Sequence, residues 1–421
     1  MTSSATTSAI TEALAADPIV VTGMGCWAAG ARGPDELFRA ALGGRSPAGW
    51  VEVGTPEEPS SVAACVAGEP ELPPAEQRSA RRLDRAARLG LTAALQAWRH
   101  AGLAEAALDP ERLGVIAGTG RGPIGRTLET ARDLAQGNVG PGASADSTPG
   151  SISGAISRSV GARGPWSTVV ATCASAATAI ATAAMHLLLD GAEAMLAGGT
   201  EAPIVPLMVA QLGAAGVLGW DPDPALTCRP FDVSRTGLVV GEGAAFLVLE
   251  RASAARRRGA TAYARLAGWA TGTDAGGRTG MTAEADGLVA VSRRALAVAD
   301  MVPADIGYVN AHGTGTRLND RTEARGLCRI FGDGRVPPVS STKPVTGHCL
   351  GATPALEALI AISSLQTGCL PPTANLATQD PDCRLDVIAG LPRSLTAGSV
   401  LSTSMGFWGM VGVLVFSAPD R

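Results

Sequence analysis

Apolar residues along this chain fall into two alternating patterns. Short continuous runs of Val, Ile, Leu and Ala predict buried strands, and longer runs spaced three and four residues apart predict helices. Residues 18–30, PIVVTGMGCWAAG, read as a strand entering a glycine turn, with a first helix at 35–42. Proline- and glutamate-rich loop material at 44–78 precedes a helical pattern at 81–101, and 113–122 returns to a strand and glycine turn. Residues 134–153 have loop composition. The β-branched run Ser167-Thr168-Val169-Val170 then leads through Cys173 into an alanine-rich helix that stops at Gly191. An apolar strand at 194–203 places Glu201 at its mouth, and a loop and buried strand fill 228–250. A basic, exposed turn at 250–260 closes this part of the chain.

A second half begins near Thr261. It reads as strand 263–270, helix 283–299, strand 306–316, helix 320–331, strand 336–344, helix 347–365 and closing strands at 398–402 and 411–417. Strand and helix alternate throughout, which predicts an α/β fold. The organisation expected is a floppy leader over 1–17, a half spanning 18–260 and a half spanning 261–421. No repeat relates the halves at the level of sequence.

Composition narrows the function classes. The chain has 421 residues, 46% of them hydrophobic and 4% aromatic, so small aliphatic residues must fill a large core. A net charge of −4 argues against bulk nucleic-acid binding. No apolar run approaches the roughly 18–20 residues of a membrane helix. The leader lacks the features of a signal peptide, and eight scattered cysteines give neither a disulfide framework nor a zinc pattern. A reducing cytoplasm is therefore expected, with no membrane contact and no metal, the neighbours His348 and Cys349 alone making a poor site. Gly23, Gly25 and Gly30 miss the spacing of a phosphate-binding turn.

Candidate chemistry gathers at three places. A cysteine at a helix start is biased toward thiolate by the positive end of the helix dipole. The alternative for Cys173 is a small buried hydrophobe. Of the four histidines, His100 and His186 lie within helical patterns and read as satisfied structural residues. His312 and His348 instead sit on glycine-rich turns, NAHGTGT and KPVTGHCLGA, where active sites draw their bases. Lys343 is the only lysine in the chain and stands five residues before His348. The arginines at 81, 82, 85 and 88 read as a solvated helix face.

The motifs ATCASA around Cys173, NAHGTGTRLND at 310–320 and STKPVTGHCLGATPALEA at 341–358 resemble the elongating β-ketoacyl-acyl-carrier-protein synthases of the thiolase superfamily. The likeness runs from PIVVTGMG through CRPFDVSRTGLVVGEGA to the closing strands. It implies the five-layered αβαβα thiolase fold, two similar halves, and an acyltransferase that forms carbon–carbon bonds. Cys173 would accept an acyl chain from a carrier protein, with the backbone N–H groups of Cys173 and Phe407 holding the oxyanion. His312 and His348 would bind the malonyl thioester as it loses carbon dioxide. Lys343 would order the site by pairing with Glu357. Asp320 and Glu323 would brace the loop behind it, or else serve as ordinary helix N-terminal carboxylates. Thr314 and Thr316 would bond the phosphopantetheine arm, or simply shape the turn. No cofactor is implied. The partners implied are an acyl carrier protein and a second subunit, either a copy of this chain or a related chain-length subunit.

Two positions depart from the family pattern. Thr172 stands where alanine usually precedes the nucleophile. In STSMGFWGMVG, Phe407 keeps the gating phenylalanine, but Trp408 replaces a glycine, and Met410 and Val411 replace a polar pair. A bulky indole there is expected to reshape the acyl pocket or restrict the gate, unless packing compensates. These departures favour specialised polyketide biosynthesis over housekeeping fatty-acid elongation. A non-catalytic partner subunit typically lacks the cysteine. A thiolase would need a second cysteine in the closing loop, where none stands. A cysteine peptidase would pair one histidine with Asn or Asp.

Overall fold

The computed structural model describes residues 2–54, 60–278 and 280–419. Ten strands form its main sheet: β1 (Ile19–Ala28), β2 (Leu113–Gly118), β3 (Trp166–Val169), β4 (Ala194–Glu201), β5 (Gly243–Arg251), β6 (Ala264–Thr273), β7 (Tyr308–Asn310), β8 (Val339–Ser340), β9 (Ser399–Gly406) and β10 (Met410–Ser417). Their order is β8-β7-β9-β10-β6-β1-β5-β4-β2-β3. The central β6–β1 link is slight, consisting of Val20 opposite Arg265 and Val21 opposite Ala264. On each side of it lie five strands with the same connectivity. β1–β5 and β5–β4 are antiparallel, while β4–β2 and β2–β3 are parallel. β6–β10 and β10–β9 are likewise antiparallel, while β9–β7 and β7–β8 are parallel. The halves are a structural duplication that residue identities do not display.

Two helices occupy the middle layer. Ser175–Leu188 packs on β2 and β4 and also reaches β6 and β10, whereas Thr353–Thr367 packs on β9 and β10 and also reaches β4 and β5. Each therefore contacts both five-stranded sets, which explains why neither has a polar face: every residue from Thr353 to Ser364 is buried. The outer layers are amphipathic. Arg85–His100 covers β1, β4 and β5, and Asp286–Val298 covers β6 and β10. The result is the αβαβα stack. Gly23 and Gly25 serve this packing, since a Cβ at either would come within 2.3 Å or 2.2 Å of the carbonyls of Ala97 and Ala93. The long helix starts at Arg85, not Arg81, because Asp84 caps it by accepting from Ala86 N at 2.7 Å.

The leader departs from expectation. Thr2–Ala16 is a helix, not a floppy segment, and it docks through buried Leu14. Arg251 Nη2 donates to the Ala13 carbonyl at 2.9 Å, and the Asp17 carboxylate accepts from the backbone and hydroxyl of Ser253. Thr11 Oγ1 donates to Ala297 O at 3.2 Å, so the helix also touches the second half. Among the described residues no helix is long and apolar enough to cross a membrane.

Candidate active site

Strand β3 ends at Val169, and the chain turns sharply through Thr172–Ala174 before the helix begins at Ser175. Thr172 has φ 49°, a left-handed conformation that costs a β-branched residue on the order of 1–3 kcal/mol. The turn is held by Ser175 Oγ, which accepts from Ala171 N at 2.9 Å, and by Thr172 Oγ1, which donates to Phe407 O at 3.3 Å. The facing loop is equally close. A Cβ on Gly406 would fall 2.0 Å from Thr172 Oγ1 and 2.9 Å from Cys173 N. Glycine is thus required at 406 for the Phe407 segment to reach Cys173.

Cys173 packs against a buried apolar cluster of Met208, Leu212, Leu238, Val240 and Leu350, as Phe407 does. Burial pushes the thiol up to about 12; Lys343 acts in the opposite direction and Glu201 adds to the rise. This runs against the bias toward thiolate expected of a helix start. Cys173 lies ahead of the first helical residue, and loss of water in an apolar cluster outweighs the helix dipole.

His312 follows β7 on a turn whose Gly313 and Gly315 both take positive φ. Glu323 fixes this turn: its carboxylate accepts from the backbone N–H groups of His312 and Gly313 at 2.7 Å each, and from Thr403 Oγ1 at 2.7 Å. Asp320 accepts from Gly315 N at 3.2 Å and from Phe231 N at 2.8 Å, beside the buried guanidinium of Arg235. Both carboxylates therefore brace the loop rather than merely ending their own helix. His348 lies on the crossover from β8, its Nδ1 3.1 Å from Thr353 Oγ1. Both histidine rings are buried, with centroids 5.3 Å apart and planes edge-on. Burial holds both well below the usual imidazole range, and the charge of Lys343 lowers them further. They are neutral near pH 7.

Lys343 and Glu357 form a fully buried ion pair, Nζ to Oε1 2.6 Å. Burial raises the Glu357 carboxyl to about 7 against the pull of Lys343. Lys343 does not line the cavity, and its charge acts on both histidines and on the Cys173 thiol.

One buried carboxylate carries more of the site's framework than its sequence position indicates. Glu201, expected at a strand mouth, is completely buried. It accepts from Gly120 N at 2.5 Å, Arg121 N at 3.0 Å, Gly351 N at 3.0 Å and Thr119 Oγ1 at 3.2 Å. It ties the loop after β2 to the segment just beyond His348. Only the acidic residue at a strand end hinted at this, because its partners lie far away in sequence.

A cavity of about 640 Å³ opens on Cys173, His312 and His348. Thr314 and Thr316 line it, their hydroxyls 2.9 Å apart. Thr172, Phe407 and Trp408 also line it, but Met410 does not and is not pocket-shaping: it begins β10, opposite Thr273. Trp408 sits at the rim, 59% exposed with φ 63°, its indole 5.8 Å from the Arg278 guanidinium. Among the described residues no group of three His, Cys, Asp or Glu side chains is placed to hold a metal ion.

A duplicated αβαβα fold bringing a cysteine and two neutral histidines to one cavity defines a thiolase-fold condensing enzyme. Residues 16–255 match the beta-ketoacyl synthase N-terminal domain and residues 263–377 the C-terminal domain. The chain belongs to the β-ketoacyl synthase family. It is 35% identical over 419 residues to the putative polyketide beta-ketoacyl synthase 1 of Streptomyces halstedii, covering 96% of this chain and 98% of that one. It is 36% identical over 346 residues to 3-oxoacyl-[acyl-carrier-protein] synthase 2 of Staphylococcus aureus, covering 81% and 86%. Among solved structures it resembles a type II polyketide acyl-carrier protein in complex with its ketosynthase bound to the hexaketide. That likeness has TM-score 0.86 and 28% identity, over 96% of this chain and all of the other.

Proposed function

We propose that the chain performs a decarboxylative Claisen condensation of an acyl chain held on Cys173 with malonyl-carrier protein, in a specialised, polyketide-type pathway. The observation carrying this reading is that Cys173, His312 and His348 open on one cavity with both imidazoles neutral. The Cys173 sulfur attacks a carrier thioester, and its proton leaves on the departing carrier thiol. His348 Nδ1 is held 3.1 Å from Thr353 Oγ1, and the tautomer with its proton on Nε2 would leave that N–H free to donate. Neutral His312 and His348 then donate to the malonyl thioester oxygen while carbon dioxide departs, and the enolate forms against two N–H groups. Its carbon attacks the acyl carbonyl, whose oxyanion meets the amides of Cys173 and Phe407. Collapse of that intermediate releases the β-ketoacyl thioester and the Cys173 thiolate. The thiolate takes up a proton, as its raised affinity favours. Electrons and atoms balance with no cofactor or metal.

Thr314 and Thr316 lie where the pantetheine arm would pass. The polyketide assignment rests on Thr172 and Trp408, and a cytoplasmic setting on eight free cysteines. The second subunit, a copy of this chain or a related chain-length subunit, is placed along the outer edge of β3, where Trp166 and Val170 are exposed. The test is Cys173→Ala. Condensation should vanish while malonyl decarboxylation continues, and intact mass should show an acyl adduct only on the parent enzyme. Condensation by the variant would refute the scheme.

A further inference from the structure

The loop after β2 runs through Thr119, Gly120 and Arg121 and presses on the turn that carries Cys173. Thr119 O lies 3.0 Å from Ser175 Oγ, and a Cβ on Gly120 would fall 3.6 Å from Thr172 O. Arg121 and Cys173 line the same cavity. The backbone N–H of Arg121 is engaged by Glu201, but among the described residues its guanidinium has no hydrogen bond and no ion pair. The donors that hold Glu201 are three backbone N–H groups and the Thr119 hydroxyl. Lys343, by contrast, is matched by Glu357 in a fully buried pair. Cys173 therefore feels a balanced buried pair, a buried carboxylate and an unpaired cation on the cavity wall, while His312 and His348 are neutral.

We propose that Arg121 is a further positioning residue of the reaction, an unpaired charge on the cavity wall that supports the Cys173 thiolate as the acyl group arrives and departs. Cys173 packs against Met208, Leu212 and Leu350, so a cation nearby acts on its sulfur more strongly than it would in water. Burial raises the thiol, Lys343 and Arg121 lower it, and Glu201 and Glu357 add to the rise. Lys343 thus brings its own opponent with it, whereas Arg121 does not. The guanidinium keeps its charge across the working pH range, so its support does not titrate away. Arg121 is also exposed, so salt screens its charge, while the buried Lys343–Glu357 pair is screened far less. That difference gives Arg121 a signature of its own.

The role in acyl transfer rests on the condensation reading, and two measurements separate them. In the first, alkylation of Cys173 by iodoacetamide, a neutral reagent that protein charge does not steer, is followed by peptide mass from about pH 7 to 9. Removing the cation raises the thiol, so Arg121→Met should react about three- to tenfold more slowly than the parent throughout. Glu201, pushed up to about 7 by burial, changes charge in parent and variant alike, so the ratio of their rates isolates Arg121. Arg121→Lys should restore the rate to within about twofold, and raising KCl about tenfold should slow the parent but not Arg121→Met. Arg121→Met alkylated as fast as the parent, or Arg121→Lys as slow as Arg121→Met, overturns the proposal. An exposed side chain without a partner should leave the melting temperature within about 1 °C, and a fall beyond about 3 °C assigns the slowing to a disturbed turn and overturns it as well. In the second measurement, acetyl is transferred from its N-acetylcysteamine thioester, the acyl group passing to Sγ and the proton to the small thiol. Loading should slow severalfold in Arg121→Met. Loading at the parent rate, with alkylation slowed, overturns the role in transfer. Failure of the parent itself to load, with alkylation still slowed in the variant, overturns the condensation reading and leaves the action of Arg121 on Cys173 standing.

Discussion

Replacing Lys343 with methionine separates the two things this residue does. The pair with Glu357 has no solvent exposure on either side chain, so removing one partner leaves a buried carboxyl without its counter-charge. Breaking such pairs costs about 3–5 kcal/mol. Unfolding entropy scaled to this chain length is about 0.9 kcal/mol/K, so the melting temperature should fall by about 3–6 °C. The carboxyl, already raised to about 7, limits the loss by taking a proton. The second effect is electrostatic. Lys343 depresses both histidines, after burial, so Lys343→Met raises them toward their ordinary value. The acid limb of malonyl decarboxylation should then move to higher pH. Stability should respond with the matching sign. Histidines depressed in the folded state make the parent lose stability as pH falls below about 6.5, and the variant should lose less over that window. The double variant Lys343→Met/Glu357→Leu decides between the two roles. It should recover most of the melting temperature, because no charge is left buried, yet keep the displaced pH limb. A single variant melting within 1 °C of the parent, or a double variant no more stable than the single, would refute the reasoning.

Two further outcomes follow from the site. With its thiol pushed up to about 12, Cys173 should be alkylated by iodoacetamide at rates rising about tenfold per pH unit from pH 7 to 9; a plateau near pH 7 would restore the standing thiolate. Trp408→Gly exchanges a left-handed strain of about 1 kcal/mol for loss of a rim contact with Arg278 of about 0.5–1 kcal/mol. The melting temperature should stay within about 1 °C, and a fall beyond 5 °C in a thermal scan would make the indole a packing residue rather than a rim residue.

The sequence showed the elements around the site because each carries a local signal. Ser167–Val170 has β-branched character, the helix after Cys173 is rich in alanine, and His312 and His348 stand on glycine turns. Lys343 stood out by being unique. What local signals could not carry was burial. A helix dipole favours a thiolate at Cys173, but Met208, Leu212 and Leu238 arrive from 35 or more residues away and remove the water. Glu201 was seen as a residue at a strand end, yet its four donors come from two distant loops. Met410 was grouped with Trp408 by adjacency, although a two-residue step carries the chain from the rim into β10. The leader helix has little amphipathic pattern of its own and depends on Leu14 and Arg251 to hold it.

The duplication explains why these particular residues meet. β3 and β8 occupy equivalent places in the two halves, each the outer strand paired parallel to its neighbour. Each is followed by a crossover into one of the two middle-layer helices. Cys173 sits on the first crossover, two residues before its helix, and His348 on the second, five residues before its own. β2 and β7 are equivalent too. The loop after one carries Gly120 and Arg121 to Glu201, and the loop after the other carries His312. Ligand sites in open α/β sheets form beyond the carboxyl ends of parallel strands, and here two such ends face one cavity. Neither half alone places a cysteine beside a pair of buried histidines. Joining the halves does so, with Glu201 of the first half accepting from Gly351 N of the second to fix their spacing. The cavity shared by Cys173, His312 and His348 is thus a property of the interface between the duplicated units, and Glu201 is the first-half side chain that ties the His348 segment to the loop after β2.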